Sequence, residues 1–315
     1  MKNDLLVTFL LMTYNQEKYV GEALGGALAQ DYSNLEIIIS DDCSSDGTYE
    51  VIESLVSQYS GCHKVIVNRN KKNLGLAAHF NFLTAKSSGD IIVVASGDDI
   101  SMYNRVSKTV SMFNNEPSAT IVSFQNCIID SLGRDLYKPC SRAIDCDLKI
   151  SLGDYLGGSV VQLSGASRGF KKSLYTEFGD LNNSCPTEDT PYLLRGLYLG
   201  CALVSSECCV KYRRHSNNIS GCTQVNSMNF LEIKNQYIAD LHRAISLGLL
   251  NNEELIKINY WIDKKYRQRI ARKRIGESNC KIYRSFLNIF NNDFTFKERI
   301  SILKKSMTSK LSNKM

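Results

Sequence analysis

The sequence predicts an α/β fold with an open, Rossmann-like central mixed sheet, parallel in its first half, and a helical extension at the C-terminus. Three observations carry that prediction. Short β-branched and aliphatic runs alternate with segments of helical periodicity over the first hundred residues; the strand ends there are polar, where a doubly wound sheet opens its ligand crevice; and the last part of the chain turns to Lys- and Arg-rich helical sequence.

The expected strands of the first half are Leu5–Met12, Leu35–Ser40, Lys64–Val67 and Asp90–Ala95. Between them Glu17–Ala29, Thr48–Tyr59 and Leu76–Lys86 space their apolar residues as helices do, and Asp46-Gly47 turns the chain into the second helix. A helix over Tyr103–Asn114 stops before Pro117. Strands then follow at Ala119–Phe124 and Cys127–Asp130, with Ser131-Leu132-Gly133-Arg134 as a hairpin turn. Helices fit Lys171–Phe178, closed by Gly179, and Asp189–Leu199, closed by Gly200. Cys201–Val204 and Cys208–Tyr212 read as strands, the stretch Leu132–Asp147 has no legible pattern, and polar Ser216–Ser227 leads into basic helices.

Composition narrows the classes. With 315 residues, 43% hydrophobic, 22% charged and only 4 Pro, the chain is neither collagen-like, mucin-like nor wholly disordered. The formal charge of +6 is uneven: residues 251–315 hold 16 basic and 6 acidic side chains, a local +10, which leaves −4 for residues 1–250. Eleven Cys, an odd number with no CxxC pair, fit a reducing cytoplasm in which Cys fills core space. Leu5–Met12 resembles a signal h-region but lacks a small-residue cleavage site, so a buried strand is expected. No run reaches the ~18 apolar residues of a spanning helix. The expected location is cytoplasmic, with any membrane contact peripheral on the inner face of the plasma membrane.

Three strand ends converge on the crevice: Thr13-Tyr14-Asn15, Asp41 to Thr48, and Ser96-Gly97-Asp98-Asp99. The first βα turn has no GxGxxG, which argues against a dinucleotide fold. Two adjacent carboxylates after a buried strand repel each other unless a cation or solvent compensates, and Mg²⁺ or Mn²⁺ prefers such oxygen ligands together with phosphate and water. The plainer alternative for Asp98-Asp99 is a helix-capping turn. Asp41 and Asp42 sit one strand over and suit contact with a base or ribose, whereas Asp46 and Thr48 suit a helix cap. His63, His79 and His242 are isolated and carry no ligand spacing.

The ordered set Met12–Glu17, Ile39–Thr48, Asn73-Leu74-Gly75 with Asn81, Gly89-Asp90 leading to Ser96–Asp99, Thr187-Glu188-Asp189, and Tyr212–Ser220 resembles the inverting glycosyltransferases of family 2, which have the GT-A fold. The resemblance runs from residue 5 to about residue 220. It implies a catalytic domain over 1–222, with a nucleotide-binding half at 1–100 and an acceptor half at 101–222, followed by a basic helical region at 223–315. It implies that Thr13, Tyr14, Asn15, Glu17, Asp41, Asp42, Asn73, Gly75, Ser96, Gly97, Asp98 and Asp99 surround the nucleotide-sugar. Asp98 would be the metal-binding member of the DxD motif, His215 a second metal contact, Arg213 and His215 phosphate contacts, and Asp189 the catalytic base. One departure stands out: Ser96 occupies the place of the first DxD carboxylate.

The implied cofactor is Mn²⁺ or Mg²⁺, the donor a nucleotide-sugar, foremost a UDP-sugar, and the acceptor a glycan or lipid-linked unit of a surface polysaccharide such as O-antigen or capsule. The basic C-terminal helices, with Phe286–Phe290 and Ile300–Leu303 among Lys and Arg, suit either an anionic bilayer or a solvated face packed on the catalytic domain. No nucleic-acid motif is present. Two rivals remain: a sugar-nucleotide-forming nucleotidyltransferase, for which Met12–Asn15 lacks the Gly-rich basic loop, and a non-catalytic carbohydrate-binding scaffold.

Overall fold

A computed structural model of the chain describes residues 5–136, 144–158, 163–218, 221–276, 285, 291–296 and 298–303. The first half alternates as expected: β1 (Val7–Thr13), α1 (Val20–Leu28), β2 (Leu35–Asp41), α2 (Thr48–Ser57), β3 (Lys64–Arg69), α3 (Leu76–Lys86) and β4 (Ile91–Ser96). A two-residue β5 (Ile100–Ser101) and helix α4 (Arg105–Asn115) lead to β6 (Ala119–Ile129), β7 (Leu148–Ile150), α5 (Leu152–Gly157) and β8 (Gly169–Lys171). Helices α6 (Ser173–Phe178) and α7 (Asp189–Leu199) precede the long β9 (Cys201–Arg213); α8 (Cys222–Ser227), α9 (Phe230–Ser246) and α10 (Asn252–Gly276) follow.

Among the described residues the strands form one mixed sheet in the order β3-β2-β1-β4-β8-β6-β9-β5, with β7 on β9. β3, β2, β1 and β4 are parallel; β8 runs antiparallel between β4 and β6; β6 and β9 are parallel. Helices cover both faces. β1 is buried along its whole length, and its alternate residues enter different cores: Phe9 and Leu11 pack with α1 and α4, while Leu10 and Met12 pack with α3, α7, α9 and α10.

Two pairs of expected strands are each a single strand. The polar residues Gln125-Asn126 and Ser205-Ser206-Glu207, which read as breaks, face each other across β6 and β9 at a shift in register. A bulge absorbs the interruption without ending either strand. At the same place the reading of every cysteine as an unpaired core residue is corrected: Cys127 and Cys208 are disulfide-bonded, their Cα atoms 6.1 Å apart across a sequence separation of 81. Neighbouring strands bring them together, which sequence spacing does not reveal. Cys185, Cys201 and Cys209 are free and buried.

The hairpin turn at 131–134 is present, closed by Asp130 N–H to Arg134 O and by a bridge between Ile129 and Asp135, with Gly133 at φ +79°. Lys171 ends β8, and the helix expected from it starts two residues later. The elements β5, β7, α5, β8 and α8 were not expected.

The C-terminal helices share the main core. Phe230, Ile233, Tyr237 and Leu241 of α9, and Ile258, Trp261 and Ile262 of α10, belong to the cluster that contains Leu10, Phe80 and Leu194. Between α7 and α9 the Arg195 guanidinium, wholly buried, meets Asp240 in a two-pronged pair at 3.0 and 2.8 Å. No helix among the described residues is long and apolar enough to cross a membrane. The expected amphipathic segment Phe286–Phe290, together with Ile219 and Ser220, lies outside the described residues.

Candidate functional site

The site lies at the C-terminal ends of β1, β2 and β4, where the parallel half of the sheet opens. Thr13 ends β1 beside Asp41, and its hydroxyl donates to Ser40 O and Asp41 Oδ1 at 3.2 and 3.3 Å. Tyr14 follows with nearly half its surface exposed. Asn15 takes a left-handed conformation (φ +52°), accepts from Ser45 N–H at 2.9 Å and donates its own N–H to Ser44 Oγ at 2.8 Å. Glu17 accepts from Gly47 N–H at 3.2 Å and donates its N–H to Asp46. Asn15 and Glu17 therefore tie the first βα loop to the second.

Asp41 and Asp42, expected to face a base or ribose, are both buried and engaged within the protein. Asp41 accepts from the Ser44 N–H and hydroxyl, and Arg69 lies 3.7 Å away. Asp42 accepts from Asn70 Nδ2 at 2.8 Å, Leu74 N–H at 2.9 Å and Gly75 N–H at 3.0 Å. The Asn73 side chain also accepts from Gly75 N–H, and Gly75 (φ +80°) turns the chain into α3. A buried carboxylate is stable only when its lone pairs are filled in this way. Nearby, burial holds His79 below its ordinary value, and its Nε2 lies 2.7 Å from Ser40 Oγ.

Beyond β4 the chain makes a tight turn. Gly97 donates its N–H to Met12 O, and a Cβ there would lie 2.5 Å from Gln16 Oε1 and 2.7 Å from Thr13 Cγ2, so only glycine fits. Ser96 Oγ donates to Asp98 Oδ1 at 2.5 Å and accepts from Gln16 Nε2 at 3.3 Å. Asp98 Oδ2 meets His215 Nε2 at 2.9 Å and Asn218 Nδ2 at 3.4 Å. His215 stacks on Tyr19, ring centroids 4.7 Å apart, and its Nδ1 accepts from Asn217 N–H at 3.2 Å. By that hydrogen-bond network the proton belongs on Nε2, directed at Asp98. Asp99 points the other way. Burial, reinforced by the charge of Asp98, pushes its carboxyl up to about 8 against the N–H of Arg213 at 2.9 Å.

Arg213 was expected at a phosphate. It is instead fully buried beneath the turn, where its Nε donates to Asp98 O at 2.9 Å, its Nη2 lies 3.2 Å from Glu22, and its guanidinium lies 5.0 Å from the Tyr19 ring centre. Its geometry is that of a strut for Asp98.

Asp189 stands at the first residue of α7, where the helix dipole favours a carboxylate. No side chain caps α7; the Thr187 hydroxyl donates to Asp189 Oδ1 at 2.5 Å. The Arg168 guanidinium donates to Asp189 O, and a Cβ on Gly165 would lie 2.8 Å from Asp189 Oδ2. Because Val94 N–H bonds Arg168 O, residues 165–168 run beside the C-terminal end of β4, and so Asp189 opens at the same end of the sheet as Asp98. Burial, with Asp189 adding its charge, pushes the neighbouring Glu188 up to about 7.

Sequence reasoning passed over Gln16, Ser44 and Asn218, which lie inside the noted motifs, and Asn70. Polar residues that brace a loop look the same in sequence as residues that face a ligand. Gly165 and Arg168 carry no local signal at all.

Comparison with known proteins agrees with this architecture. The family model "Glycosyl transferase family 2" matches residues 8–175, just over half the chain. A glycosyltransferase of Haemophilus influenzae is 26% identical over 279 residues, 84% of this chain and 83% of that protein. EpsE of Bacillus subtilis, named as a glycosyltransferase, is 32% identical over 133 residues, 42% of this chain and 47% of its own length. The abequosyltransferase RfbV of Salmonella typhimurium is 35% identical over 97 residues, 30% of this chain and 28% of that protein. Among solved structures, S. aureus TarS 1–349 in complex with UDP-GlcNAc superposes with a TM-score of 0.57 at 17% identity, covering 98% of this chain and 92% of that one. The mannosyltransferase PcManGT of Pyrobaculum calidifontis, in complex with GDP-Man and Mn²⁺, has a TM-score of 0.58 at 14% identity, covering 99% and 88%.

Proposed function

The chain belongs to glycosyl transferase family 2, and on that premise we propose that it transfers a sugar with inversion from a nucleotide-sugar, foremost a UDP-sugar, to a hydroxyl of a lipid-linked or surface-polysaccharide acceptor. The observation that carries the proposal is the opening of Asp98 and Asp189 on the same end of the sheet, one held by Ser96, His215 and Asn218, the other held at a helix N-terminus.

The donor set fits a divalent ion. Asp98 offers a carboxylate, and His215, 2.9 Å from it, would add an imidazole once its proton leaves Nε2 and the Asn217 N–H bond to Nδ1 is given up; Mg²⁺ or Mn²⁺ would complete that partial ligand set with diphosphate oxygens and water. No group of three His, Cys, Asp or Glu gathers anywhere among the described residues, so the protein by itself forms no closed cage. Bound there, the ion supplies positive charge to a leaving diphosphate.

The chain's own residues do the rest. Thr13, Tyr14, Asn15 and Glu17, with the loops braced by Asp41, Asp42, Asn73 and Gly75, shape the wall for base and ribose. Gly97 lets the backbone approach closely. Arg213 fixes the position of Asp98, while Asp99 tethers Arg213. Asp189 accepts the proton of the acceptor hydroxyl, which becomes far more acidic as the new C–O bond forms. The Thr187 hydroxyl, donating to Oδ1, holds that carboxylate in place at the start of α7.

A melting-temperature screen of sugar nucleotides with and without Mn²⁺ identifies the donor, since a ligand specific to the native state raises the midpoint. Asp189→Asn is expected to lower transfer by about 10²–10⁴-fold with donor binding retained. Loss of both, or of neither, refutes Asp189 as the base.

A further inference from the structure

A second cavity lies away from the Asp98 turn, where α5, α9 and α10 meet. Its volume is about 150 Å³, well beyond what a single buried water needs. Three rings, Tyr155, Tyr237 and Trp261, and three cations, Lys265, Arg269 and Arg272, line it together with Gln268. The rings pack on one another, Trp261 lying 5.3 Å from Tyr155 and 5.4 Å from Tyr237. Lys265 stands 5.5 Å from the Trp261 ring centre and Arg269 5.9 Å from that of Tyr237.

Arg272 pairs with Glu298 at 3.2 Å, but among the described residues neither Lys265 nor Arg269 has a carboxylate within ion-pair distance. Three cations around one concavity with a single carboxylate between them repel each other unless an anion enters. In accord with that, burial pushes the Lys265 ammonium down and the neighbouring Arg272, Arg269 and Lys264 push it further, against Glu298. The cavity adjoins α7: the Tyr237 hydroxyl lies at Thr190, and the charge of Asp189 reaches both Tyr155 and Tyr237.

We propose that this cavity is a phosphate subsite of the acceptor: it takes the phosphate or diphosphate group of the molecule that receives the sugar, held by Lys265, Arg269 and Arg272 while its hydroxyl lies toward Asp189. The assignment rests on the transferase activity proposed above. It also gives the basic α10, which lies wholly beyond the stretch matched by the family model, a role inside the molecule. A lipid-linked diphosphate and a soluble phosphorylated glycan share this chemistry.

Trp261 is the single tryptophan of the chain, so its emission reports on this cavity and not on the Asp98 turn. The full chain is titrated with inorganic pyrophosphate, farnesyl diphosphate and farnesol. Both diphosphates are expected to change the emission saturably and farnesol to leave it unchanged. Arg269→Gln weakens the response about tenfold, the scale of one charge-assisted contact, and Arg269→Lys restores most of it. Should Arg269→Gln fail to fold, Lys265→Gln serves in its place.

Tighter binding of farnesyl diphosphate than of pyrophosphate assigns the subsite to a lipid-linked acceptor; equal binding assigns it to a soluble one. An emission change with farnesol as strong as with its diphosphate, or one indifferent to both substitutions, overturns the proposal. A Trp261 response in a protein that no nucleotide-sugar stabilises rejects the transferase activity instead and leaves an anion site.

Discussion

Asp240→Asn tests whether α9 is locked onto the helix that carries Asp189. The substitution keeps the size of the side chain and removes its charge. In the native protein both carboxylate oxygens meet Arg195, at 2.8 and 3.0 Å, and Gln236 Nε2 donates to Asp240 Oδ1 at 2.9 Å. With an amide at position 240 Arg195 keeps at most one acceptor there, besides Gly179 O at 2.7 Å and Asp180 O at 3.4 Å and the Tyr192 and Phe178 rings alongside, and a guanidinium with no solvent exposure loses its counter-charge. Removing one partner of such a pair costs about 3–5 kcal/mol. At roughly 2–4 °C per kcal/mol for chains of somewhat smaller size, the melting temperature falls by about 10 °C. Urea and thermal unfolding followed by circular dichroism measure both quantities.

Two controls sharpen the comparison. Glu253→Gln removes an exposed i,i+4 pair with Lys257 and leaves the midpoint unchanged. Replacing Arg195 and Asp240 together by Met and Leu recovers most of the loss, because no charge is then left buried alone. A loss below about 1 kcal/mol, the range of exposed pairs, or a separate early transition of the C-terminal helices, would refute a single core shared by α7, α9 and α10.

Three further outcomes follow from the site. Gly97→Ala drives a methyl group into Thr13 and Gln16, and Thr13 is fixed in a buried strand; overpacking of about 1–3 kcal/mol and loss of donor-induced thermal stabilisation are expected, whereas a wild-type response would contradict the close approach. Ser96→Asp places a second carboxylate beside Asp98 and should lower the Mn²⁺ concentration that half-saturates transfer; an unchanged midpoint would place the ion elsewhere. Burial raises Glu188 to about 7 in the folded chain from an ordinary 4.5, so the native state binds the extra proton: this group's contribution to stability is fully present below about pH 4.5 and is lost as pH rises through about 7. Glu188→Gln should flatten that slope in urea midpoints measured across the interval, and an unaltered slope would assign it to another group.

The parallel half of the sheet was legible because β1, β2 and β4 each feed two cores, which writes an unbroken apolar run such as Phe9-Leu10-Leu11-Met12 between helical segments. The second half was less so. A bulge and a strand end both look like a short polar interruption, and only the pairing of β6 with β9 separates them. Positions 98, 189 and 215 received their expected roles through the resemblance of their ordered motifs to family 2. Their supports could not be named that way. Arg213 beneath the turn and Gly165 against Asp189 follow from long-range packing that no local pattern encodes. Likewise Cys127 and Cys208 meet only because two strands are neighbours.

The carboxylates most conspicuous in the sequence are those the fold has already satisfied. Asp41 and Asp42 fill their lone pairs with Ser44, Asn70, Leu74 and Gly75, and by doing so they fix the loops after β2 and β3 before any ligand arrives. A crevice whose walls are set by internal hydrogen bonds loses little entropy on binding and can select by shape. Asp189 is arranged in the opposite way. One of its oxygens is held by Thr187, while Oδ2 faces Gly165 and accepts no hydrogen bond among the described residues. A side chain at position 165 would close that approach. On the proposed mechanism the contrast would separate the two halves of the site: filled carboxylates would build the donor cradle, and the one left open would meet the incoming hydroxyl.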